Sequence, residues 1–428
     1  MPIRPDQQRA TAARMLAAVV IHAQTSDQVL GRFPADPLTR DLFYGAMRRY
    51  FTLAQAVNAE LSKPLREKDQ IVLHLMIVGA YQLLHSRIPD HAAIHATVAA
   101  CKSLKRTSLS SLVNAVLRSL QRRMSQIERS FDPESTDSEY PEWMVGLIRR
   151  DFPDIADDIL NASLQRAPLT LRINRARSTT QSYRALLDAQ NIGYEPALRD
   201  EYLVLNEATT ATALPGFEEG LVAIQDAGAG FVVELLACRP GDRVLDACAA
   251  PGGKLFHLLE SQPGVHAVGV EKSAKRMQRL DAEARRLGHS LTTHTADATS
   301  LDWWDGTPFD AVLIDAPCSG SGTLRRHPDI KILRTEADLP GYAKLQSALL
   351  SNLWRTVRPG GSLLYCTCSL FTEENDAVIA DFVRATNNAT VQNIAIPTGV
   401  AREFGWQLLP TNPTTDGFYF SLLNKGAA

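Results

Sequence analysis

Two cysteines, fifty residues apart, are the side chains of this sequence best suited to covalent chemistry. Cys318 lies in Asp315-Ala-Pro-Cys318, and Cys368 lies in Cys366-Thr-Cys368. Each follows an apolar run typical of a buried β-strand, and ligand and catalytic groups collect at the carboxyl ends of parallel strands. The alternative is that both are buried packing residues, the usual environment of a lone cysteine. Because the placement is repeated and a carboxylate precedes one thiol, we favour nucleophilic catalysis.

A glycine-containing loop predicts a cofactor site. It joins an expected strand, Val244–Asp246, to an expected helix, Gly253–Glu260. Gly252 and Gly253 let the backbone approach a ligand closely, and the helix amino terminus offers unpaired N–H groups. The spacing is not GxGxxG, so a dinucleotide phosphate is not the expected ligand. The candidate cofactor-binding residues of this loop are Cys248, Ala249, Ala250, Pro251, Gly252, Gly253 and Lys254.

Three acidic residues complete the predicted cofactor site. Glu271 closes the next expected strand, where a carboxylate can accept hydrogen bonds from ribose hydroxyls. Asp297 follows a third expected strand and could hold an adenine amino group, and Asp315 ends a fourth. A glycine loop followed by these acids suits a nucleoside without phosphates, namely S-adenosylmethionine. The alternative for each acid alone is that it caps a helix.

The elements before these motifs predict a separate, basic helical region. Residues 1–130 contain 18 Lys and Arg against 9 Asp and Glu, whereas the whole chain has a net charge of −2. This excess indicates a polyanionic partner, unless the arginines are simply good surface helix formers. Helical periodicity over 4–130 predicts a bundle. The expected helices are Arg9–His22, Thr39–Asn58, Lys68–Leu84, His91–Lys105 and Ser108–Gln126.

The rest of the chain predicts a linker and two further domains. Residues 131–141 are acidic and turn-rich, as in a linker. Residues 142–223 contain two short helices and then a strand, a helix and a strand, which indicates a small α+β module. Residues 224–428 alternate strands and helices, which predicts a doubly wound parallel sheet. Its main expected strands are Val244–Asp246, His266–Val270, Phe309–Ile314 and Gly361–Tyr365.

Composition excludes several classes of protein. No apolar run is long enough to span a bilayer, so we expect no membrane association. The six cysteines contain no CxxC pair, so neither a disulfide framework nor a metal site is expected. We therefore expect a cytoplasmic protein with reduced thiols, acting as a monomer.

The motifs resemble those of the RNA cytosine-C5 methyltransferases, in the same order along the chain. They are Ala249-Ala-Pro-Gly-Gly-Lys254, Asp315-Ala-Pro-Cys318, Thr367-Cys-Ser369, Arg325–Ile330, Glu373-Glu-Asn375 and Asp416-Gly-Phe418. Gly79–Leu84, Ile88-Pro89 and Val113–Arg118 are similar to a NusB-like RNA-binding domain. The resemblance covers nearly the whole chain, and this combination is similar to bacterial members that act on 16S ribosomal RNA. It implies a Rossmann-like S-adenosylmethionine-dependent methyltransferase domain, preceded by a small α+β module and an all-α NusB-like domain.

The resemblance also implies roles for the site residues. Cys368 is the expected nucleophile, Cys318 aids release of the product, and Asp315 holds the cytosine edge. Cytosine C5 is too weak a nucleophile to take a methyl group unaided, and addition of a thiolate to C6 activates it. The base that removes the C5 proton is not identified.

Two alternatives remain open at this stage. In a DNA cytosine-C5 methyltransferase the Pro-Cys thiol attacks, so Cys318 would be the nucleophile and Cys368 a packing residue. The chain could instead be an RNA-binding assembly factor that has lost its activity, although no catalytic position is missing from the sequence.

Overall fold

A computed structural model describes residues 3–130, 136–207 and 209–426, and for residues 124–130 only the helical backbone. The chain divides into two compact units, Met1–Gln165 with Leu324–Glu336, and Arg166–Thr323 with Ala337–Ala428. The four-part division expected from the sequence remains a prediction, and residues 131–135 of the expected linker lie outside the described residues. No helix in the described ranges is both long and apolar enough to cross a membrane.

The first unit is helical, and apolar periodicity places most of its helices. The central helix is apolar on nearly every face, as expected for a helix surrounded by others, and Gly79 on it has no room for a side chain. A Cβ there would lie 2.8 Å from Leu117 and 3.0 Å from Thr97. The helices are α1 Pro5–Val20, α2 Ser26–Arg32, α3 Pro37–Arg48, α4 Tyr50–Ala59, α5 Gln70–His85 (the central one), α6 Asp90–Ser103, α7 Ser110–Ser130, α8 Glu142–Asp151 and α9 Ala156–Ser163.

Two details of this unit differ from the sequence prediction. The expected helix Thr39–Asn58 is two helices, α3 and α4, because the backbone of Arg49 leaves the helical region at φ −112° and ψ 24°. Helix α2 was not predicted. It is a short segment that begins at a capping box, in which Thr25 and Gln28 satisfy each other's backbone N–H groups.

The segment Leu324–Glu336 belongs to the helical unit although the chain enters it from the second unit. It carries a short helix, α14 (Ile330–Leu333), and the fully buried Lys331. The Lys331 ammonium donates to the carbonyl oxygens of Arg48 and Glu139, at 2.7 Å each, and lies 4.6 Å from the centre of the Tyr140 ring. Burial lowers the pKa of Lys331 to about 7. Within the same segment Arg325 is also buried.

The second unit begins with a small antiparallel sheet. Its strands are β1 Leu169–Ile173, β2 Tyr194–Pro196, β3 Tyr202–Leu205 and β4 Val222–Ile224, in the order β2-β3-β1-β4, with helix α10 Thr180–Ala189. Leu171 pairs with Leu203 on one side and with Ile224 on the other. The two strands and the helix expected here are confirmed.

A nine-stranded sheet forms the centre of the second unit. Its main path runs β11-β12-β13-β9-β8-β5-β6-β7, and β10 pairs with β13. The strands are β5 Arg243–Asp246, β6 His266–Glu271, β7 Thr292–Thr295, β8 Phe309–Asp315, β9 Val357–Thr367, β10 Ala389–Val391, β11 Val400–Ala401, β12 Trp406–Leu408 and β13 Phe418–Lys425. The helices are α11 Phe231–Leu236, α12 Gly253–Ser261, α13 Ala274–Leu287, α15 Leu339–Leu353 and α16 Asp376–Ala385.

The expectation of a purely parallel sheet is wrong for one half of this sheet. Strands β5 to β9 are parallel to their neighbours, but β13 runs antiparallel to β9 and to β12. The Rossmann-like core is therefore confirmed, and an antiparallel extension is added beside β9.

A buried arginine joins the small sheet to the helix after the glycine loop. Arg172 on β1 is fully buried and makes two hydrogen bonds to Glu260 on α12, of 3.0 and 2.7 Å. Its remaining amino group donates to the carbonyl oxygen of Gly253, at 2.6 Å, and to Gln225. The first residue of α12 is therefore fixed from the small sheet through a charge-assisted contact.

We expect Arg172→Met to destabilise the second unit by about 3–5 kcal/mol, because it leaves the buried Glu260 carboxylate without its cationic partner. Urea unfolding followed by tryptophan fluorescence measures this, since four of the five tryptophans lie in that unit. Arg384→Met is the matched control. The Arg384–Asp381 pair is more than 70% exposed at both side chains, so the loss should be no more than about 1 kcal/mol. Equal losses in the two variants would contradict the role given to Arg172.

Candidate active site

The two cysteines predicted to be functional lie together at the carboxyl ends of adjacent strands. Strands β8 and β9 are parallel neighbours, with Asp315 opposite Cys366. The Sγ atoms of Cys318 and Cys368 are 3.4 Å apart, within the range of a thiol–sulfur hydrogen bond. Both side chains are partly exposed. The arrangement therefore offers two reactive groups to one substrate atom or to neighbouring atoms.

A lysine–carboxylate pair lies at the same strand ends. Lys254, near the start of α12, donates to Asp315 Oδ2 at 2.6 Å, and its ammonium is 5.4 Å from the centre of the Phe418 ring. The other carboxylate oxygen of Asp315 accepts from Cys366 Sγ at 3.5 Å. The Asp315 side chain is 37% exposed, so part of it faces the open side of the site. Asp315 is thus held from two sides and can still contact a ligand.

The charges around these groups act differently on the thiols and on the lysine. The hydrogen bond with Cys368, and then burial, raise the pKa of Cys318 well above its usual value. Burial and the Asp315 carboxylate raise the pKa of Cys366. Burial alone would lower the pKa of Lys254, but Asp315 and the nearby thiols outweigh it and raise that pKa. Cys318 is therefore a neutral thiol and Lys254 a cation at neutral pH.

The loop after Cys318 packs without space against the closing motif of the chain. A Cβ on Gly322 would lie 2.3 Å from the carbonyl oxygen of Gly417 and 2.9 Å from that of Cys368. Gly322 N also donates to the Cys368 carbonyl oxygen, and Gly417 N donates to the Gly322 carbonyl oxygen, at 2.8 Å each. This close backbone packing explains why the Asp416-Gly-Phe418 motif belongs to the site.

The glycine loop has the geometry expected of a ligand cradle. Gly252 has φ +105°, which favours glycine, and a Cβ there would lie 2.1 Å from the Phe256 ring. Gly253 starts α12, and the Ala250–Pro251 peptide bond is cis. The loop follows Asp246, a buried acid whose Oδ1 accepts from Cys248 N at 3.3 Å. Burial, and then the Asp315 charge, raise the pKa of Asp246 to about 7.

Glu271 ends β6 beside this loop and retains acceptor capacity. It is 4% exposed, and its Oε1 accepts from Ser273 N at 2.8 Å. Arg276 Nη1 is 3.0 Å from Oε2 but is not aligned as a hydrogen bond, so Oε2 has no hydrogen-bond donor among the described residues. Arg276 also donates to the carbonyl oxygen of Ala250, which links Glu271 to the loop. A buried carboxylate oxygen without a donor suits a ribose hydroxyl.

Asp297 lies after β7, as predicted, but its oxygens already have partners. Oδ2 pairs with Lys272 Nζ at 2.7 Å, and Oδ1 accepts from Thr299 N and Oγ1 at 2.9 and 2.7 Å. The hydrogen bonds from Lys272 and then Thr299 lower the pKa of Asp297 to about 2. A ligand amino group would therefore share this carboxylate with Lys272.

Sequence reasoning missed three residues of the site. It treated Cys366 as packing, but the thiol contacts Asp315. It did not single out Asp246, and it named Glu374 only within a motif, although Glu374 is fully buried and binds the loops of both cysteines. The signal for Glu374 was present in Glu373-Glu-Asn375, since one acid of such a pair can point inward. The sequence did not show which acid this is.

Comparison with known proteins identifies the family. Residues 233–424 match the family described as 16S rRNA methyltransferase RsmB/F, residues 6–122 match the NusB family, and residues 140–212 match the ferredoxin-like domain of RsmF/B-like methyltransferases. The ribosomal RNA small subunit methyltransferase B of Shewanella oneidensis is 38% identical over 91% of this chain and 90% of its own length. The chain belongs to the 16S rRNA methyltransferase RsmB/F family.

Further relatives agree with this membership of the RsmB/F family. The methyltransferase B of Citrobacter koseri is 37% identical over 97% of this chain and 98% of its own length. A crystal structure of a methyltransferase homologue from Pyrococcus horikoshii has a TM-score of 0.60 at 25% identity, and the match covers 67% of this chain and 95% of that one. S-adenosylmethionine is the cofactor, and the glycine cradle and the open oxygen of Glu271 fit it.

We expect Glu271→Ala to weaken S-adenosylmethionine binding by about 1.5–3 kcal/mol, roughly ten- to hundred-fold, because a ribose hydroxyl loses a charged acceptor. Calorimetric titration measures the affinity, and RNA affinity should be nearly unchanged. Glu234→Ala removes an exposed carboxylate of the same unit and serves as the control. Unchanged cofactor affinity in folded Glu271→Ala would contradict the assignment.

Proposed function

We propose that this protein methylates C5 of a cytosine in 16S ribosomal RNA, with S-adenosylmethionine as methyl donor and through a covalent bond between Cys368 and C6. The observation that carries the proposal is the pair of thiols 3.4 Å apart, beside the Lys254–Asp315 pair. The names of the relatives support a small-subunit ribosomal RNA substrate. Methylation at a base nitrogen or a ribose oxygen would not need an attacking thiol.

In the first step the Cys368 thiolate adds to C6, and the electron pair of the C5–C6 double bond moves toward C5. Asp315 holds the N3 and amino edge of the ring, and Lys254 keeps that carboxylate in place through the 2.6 Å contact. S-adenosylmethionine supplies an electrophilic methyl group carried on a sulfonium. The activated C5 takes this methyl group, so that C5 then carries both a proton and the methyl group.

In the second step the C5 proton leaves, its electron pair re-forms the C5–C6 double bond, and the C6–sulfur bond breaks. Cys318 is placed to help, because its sulfur is 3.4 Å from that of Cys368 and its raised pKa keeps it protonated. A neutral thiol there can hydrogen-bond to the departing sulfur. The base that takes the C5 proton is not assigned.

The remaining parts of the chain are given supporting roles in this proposal. The helical unit, with its excess of Lys and Arg in residues 1–130, holds RNA through phosphates. Site roles for Cys248 to Lys254, Glu271 and Asp297 in holding the cofactor belong to the same proposal. We place the reaction in the cytoplasm, where the two thiols stay reduced.

We expect the two cysteines to fail differently. Cys368→Ala removes the attacking thiol, so methyl transfer should be lost and no covalent complex should form. Cys318→Ala leaves attack possible but impairs release, so enzyme bound covalently to methylated RNA should accumulate. A denaturing gel of each variant with unmethylated small-subunit RNA and S-adenosylmethionine shows the complex as a slow band.

The control for this pair is Cys238→Ala, a buried cysteine away from the strand ends, which should behave as wild type. The reverse pattern, with no adduct in Cys318→Ala and near-normal methylation in Cys368→Ala, would support the arrangement of DNA cytosine-C5 methyltransferases. Normal methylation in both variants would exclude the covalent mechanism.

We also expect RNA affinity of the full chain to fall steeply with salt. Changing Lys102, Lys105, Arg118 and Arg122 to Gln, all exposed in the helical unit, should weaken binding and reduce the log–log salt slope by up to about 3, roughly 0.7 per lost phosphate contact on single-stranded RNA. The same change at Arg239, Arg279, Arg285 and Arg355, exposed in the second unit, is the matched control. Equal effects of the two sets would assign no special role to the helical unit.

A further inference from the structure

Glu374 is a carboxylate with no exposed surface, located just after the second cysteine loop. It ends a short 3₁₀ turn, Thr372–Glu374, that precedes α16. Neither its burial nor its charge is needed for packing, because an apolar residue would fill the same space at less cost. A buried carboxylate persists only where several donors compensate its loss of hydration.

The donors to Glu374 come from both cysteine loops. Ser319, which follows Cys318, donates its backbone N–H to Oε1 at 2.8 Å and its hydroxyl to Oε2. Ser369, which follows Cys368, donates its hydroxyl to Oε2 at 2.6 Å. One carboxylate is therefore bonded to the residue after each thiol.

A glutamine completes the shell and extends it to the first loop. Gln346 on α15 donates to Glu374 Oε1 at 3.2 Å and to the carbonyl oxygen of Pro317 at 2.9 Å. The Tyr365 hydroxyl, from within β9, donates to the Glu374 carbonyl oxygen at 2.6 Å. Every element that carries a thiol is thus attached to Glu374 by at least one hydrogen bond.

We propose that Glu374 is a positioning residue, which holds the loops of Cys318 and Cys368 at the separation that lets the two thiols act one after the other. The proposal rests on the proposed function, since it concerns the same two thiols. Glu374 touches neither sulfur according to these contacts and works through Ser319 and Ser369. Its negative charge also contributes, after the Cys368 hydrogen bond and burial, to the raised pKa of Cys318.

The conservative variant Glu374→Gln tests this role with little change of shape. The amide oxygen can still accept from Ser319 N and Gln346, but the amide nitrogen then faces two serine hydroxyls that donate in the native protein. Those hydroxyls must turn and accept, and both loops lose their bonds to a charged acceptor, which are roughly twice as strong as neutral ones. The loops should therefore hold the thiols less firmly.

The separation of the thiols can be measured without RNA. Diamide oxidises two adjacent thiols to a disulfide: the sulfurs form one S–S bond, and their two protons and two electrons pass to the diamide nitrogens. In the full-length wild-type chain, Cys318 and Cys368 should crosslink rapidly under limiting diamide, as detected by peptide mass spectrometry. In Glu374→Gln the crosslinking rate should fall by roughly ten- to hundred-fold.

The single-turnover methylation rate at saturating RNA and S-adenosylmethionine should fall over the same range, with the affinity for S-adenosylmethionine unchanged. Glu373→Gln makes the same chemical change one residue earlier, at a half-buried position, and should match wild type in both assays. Ser369→Ala keeps the carboxylate and removes only its bond to the Cys368 loop. It should slow crosslinking in the same direction if Glu374→Gln does not fold.

Crosslinking at the wild-type rate in folded Glu374→Gln or Ser369→Ala would overturn the proposal, whatever happens to methylation. Slower crosslinking and slower methylation together support it. Failure of the proposed function has a different signature, because Cys368→Ala would then retain methylation while the crosslinking results stand.

Discussion

Strands β8 and β9 run side by side in the same direction, with Asp315 opposite Cys366, and the distances in the site depend on this pairing. Parallel neighbours end at the same edge of a sheet, so the loops that leave them must meet. Backbone hydrogen bonds continue beyond the strands, from Ala316 N to the Cys366 carbonyl oxygen and from Gly322 N to that of Cys368, at 2.8 Å each. The two thiols are therefore held close by the main chain before any side chain contributes.

Side-chain chemistry then makes the two thiols unequal. Cys318 lies where its own neighbour sulfur, burial and the Glu374 charge keep it protonated. Asp315, on the other side, is occupied by Lys254 and Cys366, and no hydrogen bond joins it to either Cys318 or Cys368 among the described residues. A thiol that stays protonated suits a proton-donating role better than attack. The electrostatics of the site thus favour Cys368 as the nucleophile, in agreement with the order of roles that the resemblance implies.

The sequence predicted the placement of the site well, because strand ends and glycine turns leave local signals. Apolar runs followed by Asp315-Ala-Pro-Cys318 and Thr367-Cys-Ser369 located both loops, and the run to Glu271 located the ribose acid. Contacts between distant segments have no such signal. The link from Arg172 to Gly253 and the ties from Glu374 to both loops join residues whose approach depends on the complete fold.

The same reasoning explains the errors in the fold. The antiparallel extension β10–β13 was not foreseen, because its short strands have no helices between them to mark a crossover, and pairing direction is a non-local property. The single helix expected over Thr39–Asn58 failed at Arg49, where good helix formers on both sides conceal a break of one residue. The apolar face continues on both sides of that break, so periodicity alone does not reveal it.

The central claim is that Cys368 forms the covalent bond to the base, and trapping with 5-fluorocytidine-containing small-subunit RNA tests it most directly. Fluorine at C5 cannot leave as a proton does, so an adduct that has received its methyl group stays attached to the enzyme. Digestion and mass spectrometry then identify the modified peptide. We predict that the nucleotide is attached to Cys368 in the wild-type protein. Attachment to Cys318, or methylation without any trapped adduct, would contradict the account.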